Sequence, residues 1–88
     1  MGVSTLAPRE IPARVVRVII ALDTLEFGLI ASSREVAALA GTDYKNFRRD
    51  DMQHPALAPY RFKPQTHGSS ILWGNKESIK KLIEANAQ

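Results

Sequence analysis

The sequence predicts a mostly α-helical single domain that carries one small β-hairpin. Apolar residues recur at helical spacing along most of the chain, whereas between residues 55 and 75 they alternate with polar ones, which is typical of strands. A chain of 88 residues, 44% of them apolar and 24% charged, has the size and composition of one folded domain with one core. We expect this domain to occupy residues 9–88, after a flexible tail at residues 1–8.

The first helix is predicted to begin near Pro12, because proline is favoured in the first turn of a helix. Gly28 marks its expected end. Apolar side chains recur between these points at the spacing of one helix face, at Val15, Val16, Ile19, Ile20, Leu22 and Leu25. This spacing leaves Val18 outside the apolar stripe, so Val18 marks the expected surface for a homodimer.

A second helix is predicted over residues 34–40, after a short apolar link at residues 29–31. Ser32 is placed to cap it, and Glu35 stands three residues later as the partner in a capping box. Gly41 is a residue type that ends helices, so the helix is expected to stop there.

A third helix is predicted from residue 44; Thr42 and Asp43 are both good N-caps, and Asp43 leads directly into it. It is expected to close before the His54-Pro55 pair, since the residue before a proline disfavours helical geometry. The middle of the chain is therefore predicted to be a helix, a four-residue turn and a second helix.

The alternation that follows predicts a hairpin with its loop at residues 64–69. Arg61 and Lys63 fall on its solvent side. The core side is predicted to carry Tyr60, Phe62, Ile71 and Trp73. Asn75 can then cap a last helix over residues 76–86. The core-facing positions of that helix are Ile79, Leu82 and Ile83.

Positive charge is concentrated in the second half of the chain, although the formal net charge is only +3. Residues 1–43 contain four Lys or Arg and five Asp or Glu, whereas residues 44–88 contain eight and four. A polyanion is therefore expected to bind the second half. The alternative interpretation is that the charge only maintains solubility.

The segment SREVAALAGTDYKNFRRD resembles the helix-turn-helix of bacterial and phage DNA-binding proteins. In that pattern a small residue in the first helix permits close packing, a glycine makes the turn, and an apolar residue anchors the second helix. Ala37, Gly41 and Phe47 occupy these positions here. With a helix before the motif and a basic hairpin and helix after it, the layout resembles a winged helix-turn-helix domain.

A narrower similarity concerns SREVAALAG followed by YKNFRRD, which is similar to the N-terminal segment of phage regulatory proteins of the Rha type. It covers about 18 residues and does not obviously continue beyond Pro55. The layout as a whole is similar to small phage excisionases and to winged replication or repressor proteins. These resemblances imply a phage or prophage origin.

The winged-helix resemblance implies that the third helix is a recognition helix lying in the major groove. Its outward side chains are expected to be Lys45, Asn46, Arg48 and Arg49, with Tyr44 able to reach either the core or a phosphate. Arginine can pair with guanine through two hydrogen bonds, and asparagine can do the same with adenine. The alternative is a solvated helix face, with Asp50 and Asp51 close enough to pair with the arginines locally.

Phosphate contacts are expected from two further places. Arg61 and Lys63 on the hairpin, with His67 near its tip, would form a basic wing on the DNA backbone. Arg34, with Ser32 or Ser33 beside it, would meet a phosphate at the start of the second helix. The alternative for the hairpin is that its charges only protect an edge strand from aggregation.

Several other classes of function are not expected. The chain contains no cysteine, its longest strongly apolar run is only residues 18–22, and its two histidines have no carboxylate or cysteine arranged around them. No arrangement typical of a catalytic site or a phosphate loop occurs. We therefore expect a cytoplasmic protein that is not an enzyme and has no metal, cofactor, small-molecule substrate or membrane contact.

The aromatic residues Tyr60, Phe62 and Trp73 are compatible with a stacking platform for single strands, but their alternation favours a core position. Sequence-specific binding to duplex DNA, as a transcriptional regulator or excision factor, is thus the leading expectation. The alternative is a phage-encoded inhibitor or adaptor that uses the same scaffold to bind a host protein.

Overall fold

The computed structural model describes residues 11–65, 68 and 70–87. The predicted tail at residues 1–8, and His67, lie outside these residues. Within these described residues the protein is mostly helical and contains a two-stranded antiparallel hairpin, as expected. In chain order the elements are α1 (Ala13–Asp23), α2 (Ser33–Ala40), α3 (Tyr44–Asn46), a π-helical turn (Phe47–Asp51), a 3₁₀ helix (Pro55–Tyr60), β1 (Arg61–Phe62), β2 (Leu72–Trp73) and α4 (Lys76–Ala85).

The face that α1 turns to the core differs from the predicted one. Val18, expected on the surface, is fully buried together with Val15 and Leu22. Val16 and Ile20, expected in the core, are exposed. Apolar residues cover more than half of the circumference of this helix, so their spacing alone could not select the buried face. The helix also ends at Asp23, five residues before the predicted end at Gly28. A dimer surface at Val18 is therefore wrong.

The predicted caps around α2 and α3 are confirmed. The hydroxyl of Ser32 accepts from the Glu35 backbone N–H at 3.2 Å, and the Glu35 carboxylate accepts from the Ser32 N–H at 2.7 Å. Gly41 ends α2 in the left-handed region at φ 71°. The carboxylate of Asp43 then accepts from the Asn46 N–H at 3.1 Å. The turn between the helices is thus fixed by local hydrogen bonds.

The third helix consists of α3 and the π-helical turn, residues 44–51, and it is anchored at two points. Phe47 is fully buried, and its ring lies 5.4 Å from that of Trp73. The turn widens after Phe47, whose carbonyl accepts from the Met52 N–H at 2.8 Å. This widening accompanies a half-buried ion pair in which the buried Asp51, 1% exposed, accepts from Nε of Arg14 on α1 at 2.8 Å.

A 3₁₀ helix occupies Pro55–Tyr60, where the sequence predicted the start of a strand. His54 caps it, because its ring Nδ1 accepts from the Ala56 N–H at 3.0 Å. Tyr60 is buried as expected but belongs to this helix rather than to the hairpin. Pro55 stands at the start of this short helix, a position that favours proline, and Pro59 lies within it.

The register of the hairpin corrects the predicted faces. Arg61 lies opposite Trp73, and Phe62 lies opposite Leu72. Directly opposite residues of an antiparallel pair share a face, so Arg61 and not Phe62 shares the face of Trp73. Trp73 is fully buried as expected, whereas Arg61 and Phe62 are both half-buried.

A third extended position joins this hairpin from the link before α2. The backbone of Ala31 exchanges two hydrogen bonds with that of Trp73, at 2.8 and 2.9 Å. The indole N–H of Trp73 also donates to the Ser33 hydroxyl at 2.8 Å. The hairpin is therefore held to the beginning of α2.

The last helix, α4, begins at its predicted cap. The Asn75 side chain accepts from the Ser78 N–H at 2.7 Å and donates to the Leu25 carbonyl at 2.8 Å. Ile79 is fully buried as predicted, but Ile83 is exposed, which corrects its assignment to the core. The core thus receives a shorter stripe from α4 than the sequence indicated.

Candidate nucleic-acid interface

A polar groove of about 520 Å³ lies where the N-terminus of α2, the third helix and the hairpin meet. Three of its cations come from separate parts of the chain: Arg34 from α2, Arg48 from the third helix and Lys63 from the segment after β1. The complete lining is Ser32, Ser33, Arg34, Tyr44, Arg48, Met52, Lys63, Ser70 and Ile71. The structure therefore brings together five of the predicted site residues, namely Ser33, Arg34, Tyr44, Arg48 and Lys63. We call this feature the basic groove.

Arg34 is held over the ring of Tyr44. Its guanidinium carbon lies 4.3 Å from the centre of that ring, a distance typical of a cation–π contact. Among the described residues Arg34 has no hydrogen-bond or ion-pair partner, and its side chain is exposed. The stacking therefore fixes the plane of the guanidinium while its N–H groups remain available to an anion.

Ser33 accepts a hydrogen bond that supports the fold, and its own hydroxyl hydrogen remains available in the groove. Its oxygen accepts from the indole N–H of Trp73, so its hydroxyl hydrogen can still be donated. Ser33 is also the first residue of α2, where backbone N–H groups have no carbonyl partner within the helix. Such N–H groups carry partial positive charge and favour an anion nearby.

The neighbouring residues Arg48 and Arg49 of the third helix differ in their hydrogen-bond partners. Arg49 donates from Nε and Nη2 to the two Asp50 carboxylate oxygens, both at 2.9 Å, and from Nη2 to the Asn46 side-chain oxygen at 3.0 Å. Arg48 has no comparable partner in the described part of the chain. Pairing of guanine by Arg49, or of adenine by Asn46, thus requires that these bonds be exchanged.

The electrostatics of this cluster agree with its geometry. The hydrogen bond from Arg49 lowers the pKa of the Asp50 carboxyl, and the same bond raises the pKa of the Arg49 guanidinium. Both groups are charged at neutral pH, and the negative charge of Asp50 offsets the positive charge of Arg49. The prediction that Asp50 pairs locally with an arginine is confirmed. Asp51, by contrast, pairs with Arg14 and with neither neighbour.

Arg61 is not the free wing cation that the sequence predicted. Its Nη1 donates to the His54 carbonyl at 2.8 Å, and burial lowers the pKa of its guanidinium. The side chain is half-buried beside the 3₁₀ helix, and this hydrogen bond ties it to the fold. Lys45, on the outer face of the third helix, is exposed. His67 lies outside the described residues.

Two features of the site were absent from the sequence interpretation. Ser70 and Ile71 line the basic groove although they come before β2, and only the hairpin register brings them there. The ion pair between Arg14 and Asp51 joins residues 37 positions apart, and no local pattern indicates such a partnership. In contrast, Arg34 and Tyr44 meet because the short turn between α2 and α3 places them side by side.

No family model, curated protein or solved structure matches this chain. Within residues 11–65, 68 and 70–87, no group of three or more His, Asp or Glu side chains is placed to hold a metal ion. None of the helices in that part of the chain is long and apolar enough to cross a membrane.

Proposed function

We propose that this protein binds duplex DNA, with the third helix entering the major groove and the basic groove holding the adjacent sugar-phosphate backbone. The observation that carries the proposal is the convergence of Arg34, Arg48 and Lys63 on one polar groove. These residues come from different parts of the chain, so the fold brings their charges together.

The order of the elements supports the same proposal. A helix-turn-helix with a following hairpin is the layout of a winged helix-turn-helix domain, and the bridge between Ala31 and Trp73 adds a third extended position to the hairpin. In that arrangement the hairpin is the wing. From the sequence resemblance alone, we propose that the protein acts as a phage-type regulator or excision factor.

The basic groove has the chemistry of a phosphate site. It offers positive charge, the hydroxyl hydrogen of Ser33 and the first N–H groups of α2, all of which bind phosphate oxygens without reading sequence. We therefore assign Arg48 to the backbone. Lys45, Asn46 and Arg49 lie outside the groove on the third helix and are left to face bases, with Asp50 restraining Arg49.

The test is a salt titration of binding to a set of duplexes, measured by fluorescence anisotropy. Counterion release predicts that affinity falls steeply with salt, and that Arg48→Ala lowers the slope by about one unit. The loss should be similar on all duplexes, because phosphates carry no sequence information. Arg17→Ala is a matched control, since Arg17 is exposed on α1 and does not line the basic groove.

Two results would count against the proposal. If the parent protein binds no duplex at low salt, the protein-docking alternative becomes the better account. If Arg17→Ala and Arg48→Ala weaken binding equally, the basic groove has no special part in it. Circular dichroism of each variant separates a lost contact from a lost fold.

A further inference from the structure

A second surface of the molecule is apolar and shares no lining residue with the basic groove. Several large apolar side chains there remain in water, with Phe27 62%, Leu39 56%, Leu29 50% and Ile30 40% exposed. Their neighbours Leu25 and Ala38 continue the same surface. A contiguous set of exposed apolar side chains on a small domain marks a contact with another macromolecule. We call these six residues the apolar surface.

The apolar surface contains two shallow grooves that meet at Ile30. One is lined by Leu25, Leu29 and Leu39 and includes Glu35 at its edge. The other is lined by Phe27 and includes Lys81 of α4. Ile30 lines both grooves, whereas Glu35 belongs to the first and Lys81 to the second.

Both charges have capacity left for a partner. The Oε1 atom of Glu35 accepts from the Ser32 N–H, whereas its second oxygen has no partner among the described residues. Lys81 is 66% exposed, and Glu84 is 3.9 Å away, which is a weak contact. A surface that carries an anion in one groove and a cation in the next can pair with a second copy of itself across a twofold axis between them.

We propose that a second copy of this chain covers the apolar surface, with Ile30 near the twofold axis and Glu35 of each copy facing Lys81 of the other. A surface with a net charge would instead favour a partner of the opposite charge. Here the charges of Glu35 and Lys81 balance each other. The proposal does not rest on DNA binding. Ser33 and Arg34 line the basic groove and neither groove of the apolar surface.

The first test measures the mass of the protein over a concentration series by sedimentation equilibrium. We expect a reversible dimer in the parent and a monomer in Leu39→Asp, because the substitution places a charge in the centre of the contact. Ile83→Asp is the matched control: Ile83 is also an exposed helical side chain, 49% exposed, but lies outside the apolar surface. It should dimerise like the parent.

The second test is a double-mutant cycle on the dimer dissociation constant with Glu35→Gln and Lys81→Gln. Glutamine preserves the capping box, so the helix is not weakened. Each single change should weaken the dimer, and the pair should weaken it no more than the stronger single change. A parent that is monomeric at every soluble concentration, a Leu39→Asp variant that still dimerises, or strictly additive effects in the cycle would each overturn the proposed arrangement.

Discussion

Arg14 and Asp51 form a half-buried ion pair that fixes the end of the third helix to α1. Nε of Arg14 donates to both carboxylate oxygens, at 2.9 and 2.8 Å, and the carboxylate is almost completely buried. A buried charge without a partner is costly, so the pair is required once Asp51 lies inside. The position of the proposed DNA-reading helix thus depends on a residue outside the helix-turn-helix.

Removing Arg14 should lower the free energy of unfolding more than neutralising Asp51 does. Arg14→Ala leaves the Asp51 charge buried and unpaired, and we expect the free energy of unfolding to fall by about 3 kcal/mol. Asp51→Asn leaves Arg14, whose side chain is 47% exposed and can be hydrated, so its cost should be smaller. Urea denaturation followed by circular dichroism measures both. Equal losses would mean that burial of the carboxylate does not determine the energetics of the pair.

Gly41 should tolerate substitutions in an order set by backbone conformation. Its φ of 71° is disfavoured for side chains, and no atom lies within 4 Å of an added Cβ, so strain rather than a clash is the cost. We expect Gly41→Val to lower the free energy of unfolding by ~1–3 kcal/mol, and Gly41→Asn by less, because asparagine adopts this conformation more readily. Thermal unfolding of both variants tests the order, and a valine variant as stable as the parent would contradict it.

Stability should fall at alkaline pH because of Tyr60. Burial raises the pKa of Tyr60 to about 12, and a hydrogen bond with the Asp23 carboxylate adds to this effect. The folded state therefore favours the protonated phenol, and its contribution is fully present below the unfolded pKa of about 10. It should be lost as pH rises from about 10 to about 12, at a cost of about 2–3 kcal/mol.

The variant Tyr60→Phe isolates this term, because phenylalanine does not titrate. The difference in unfolding free energy between Tyr60→Phe and the parent should change with pH across that interval, and Tyr44→Phe should follow the parent. If Tyr60→Phe loses stability with pH as steeply as the parent, another group controls the alkaline transition.

Under the proposed function, Asp50 should lower the affinity for duplex DNA. Its carboxylate occupies Nε and Nη2 of Arg49, so Asp50→Asn releases a charge on the outer face of the third helix. We expect tighter binding to all duplexes and a salt slope about one unit steeper, since one anion has been removed from the interface. Glu84→Gln, on α4, is the control for net charge, and an equal gain in both variants would argue against a specific role of Asp50.

Where local chemistry determines structure, the sequence was a reliable guide. Ser32 with Glu35, Gly41 and Asp43 act within four residues, so the helix-turn-helix boundaries could be predicted from their types. Long-range packing could not be predicted in this way. The core face of α1 depends on what packs against it, and the apolar excess of that helix allowed Val18 to be placed on the wrong side.

The candidate site shows the same division. Five predicted residues meet in the basic groove, because residue type and approximate element order are enough to place a cation near the turn. Whether a cationic side chain is free to bind a ligand depends on the groups that surround it in the fold, and the sequence does not specify these. Arg61 was expected in solvent, but the hairpin register and the unforeseen 3₁₀ helix bring it to the His54 carbonyl.

The hydrogen bond between Trp73 and Ser33 gives the protein an internal optical reporter. Trp73 is the single tryptophan of the chain, and its indole is fully buried with its N–H directed to a hydroxyl of the basic groove. Tryptophan emission depends on the polarity and hydrogen bonding around the indole. A phosphate bound at Ser33, as proposed, would change that environment without unfolding the core, so intrinsic fluorescence would follow occupancy of the groove with no dye attached to either molecule.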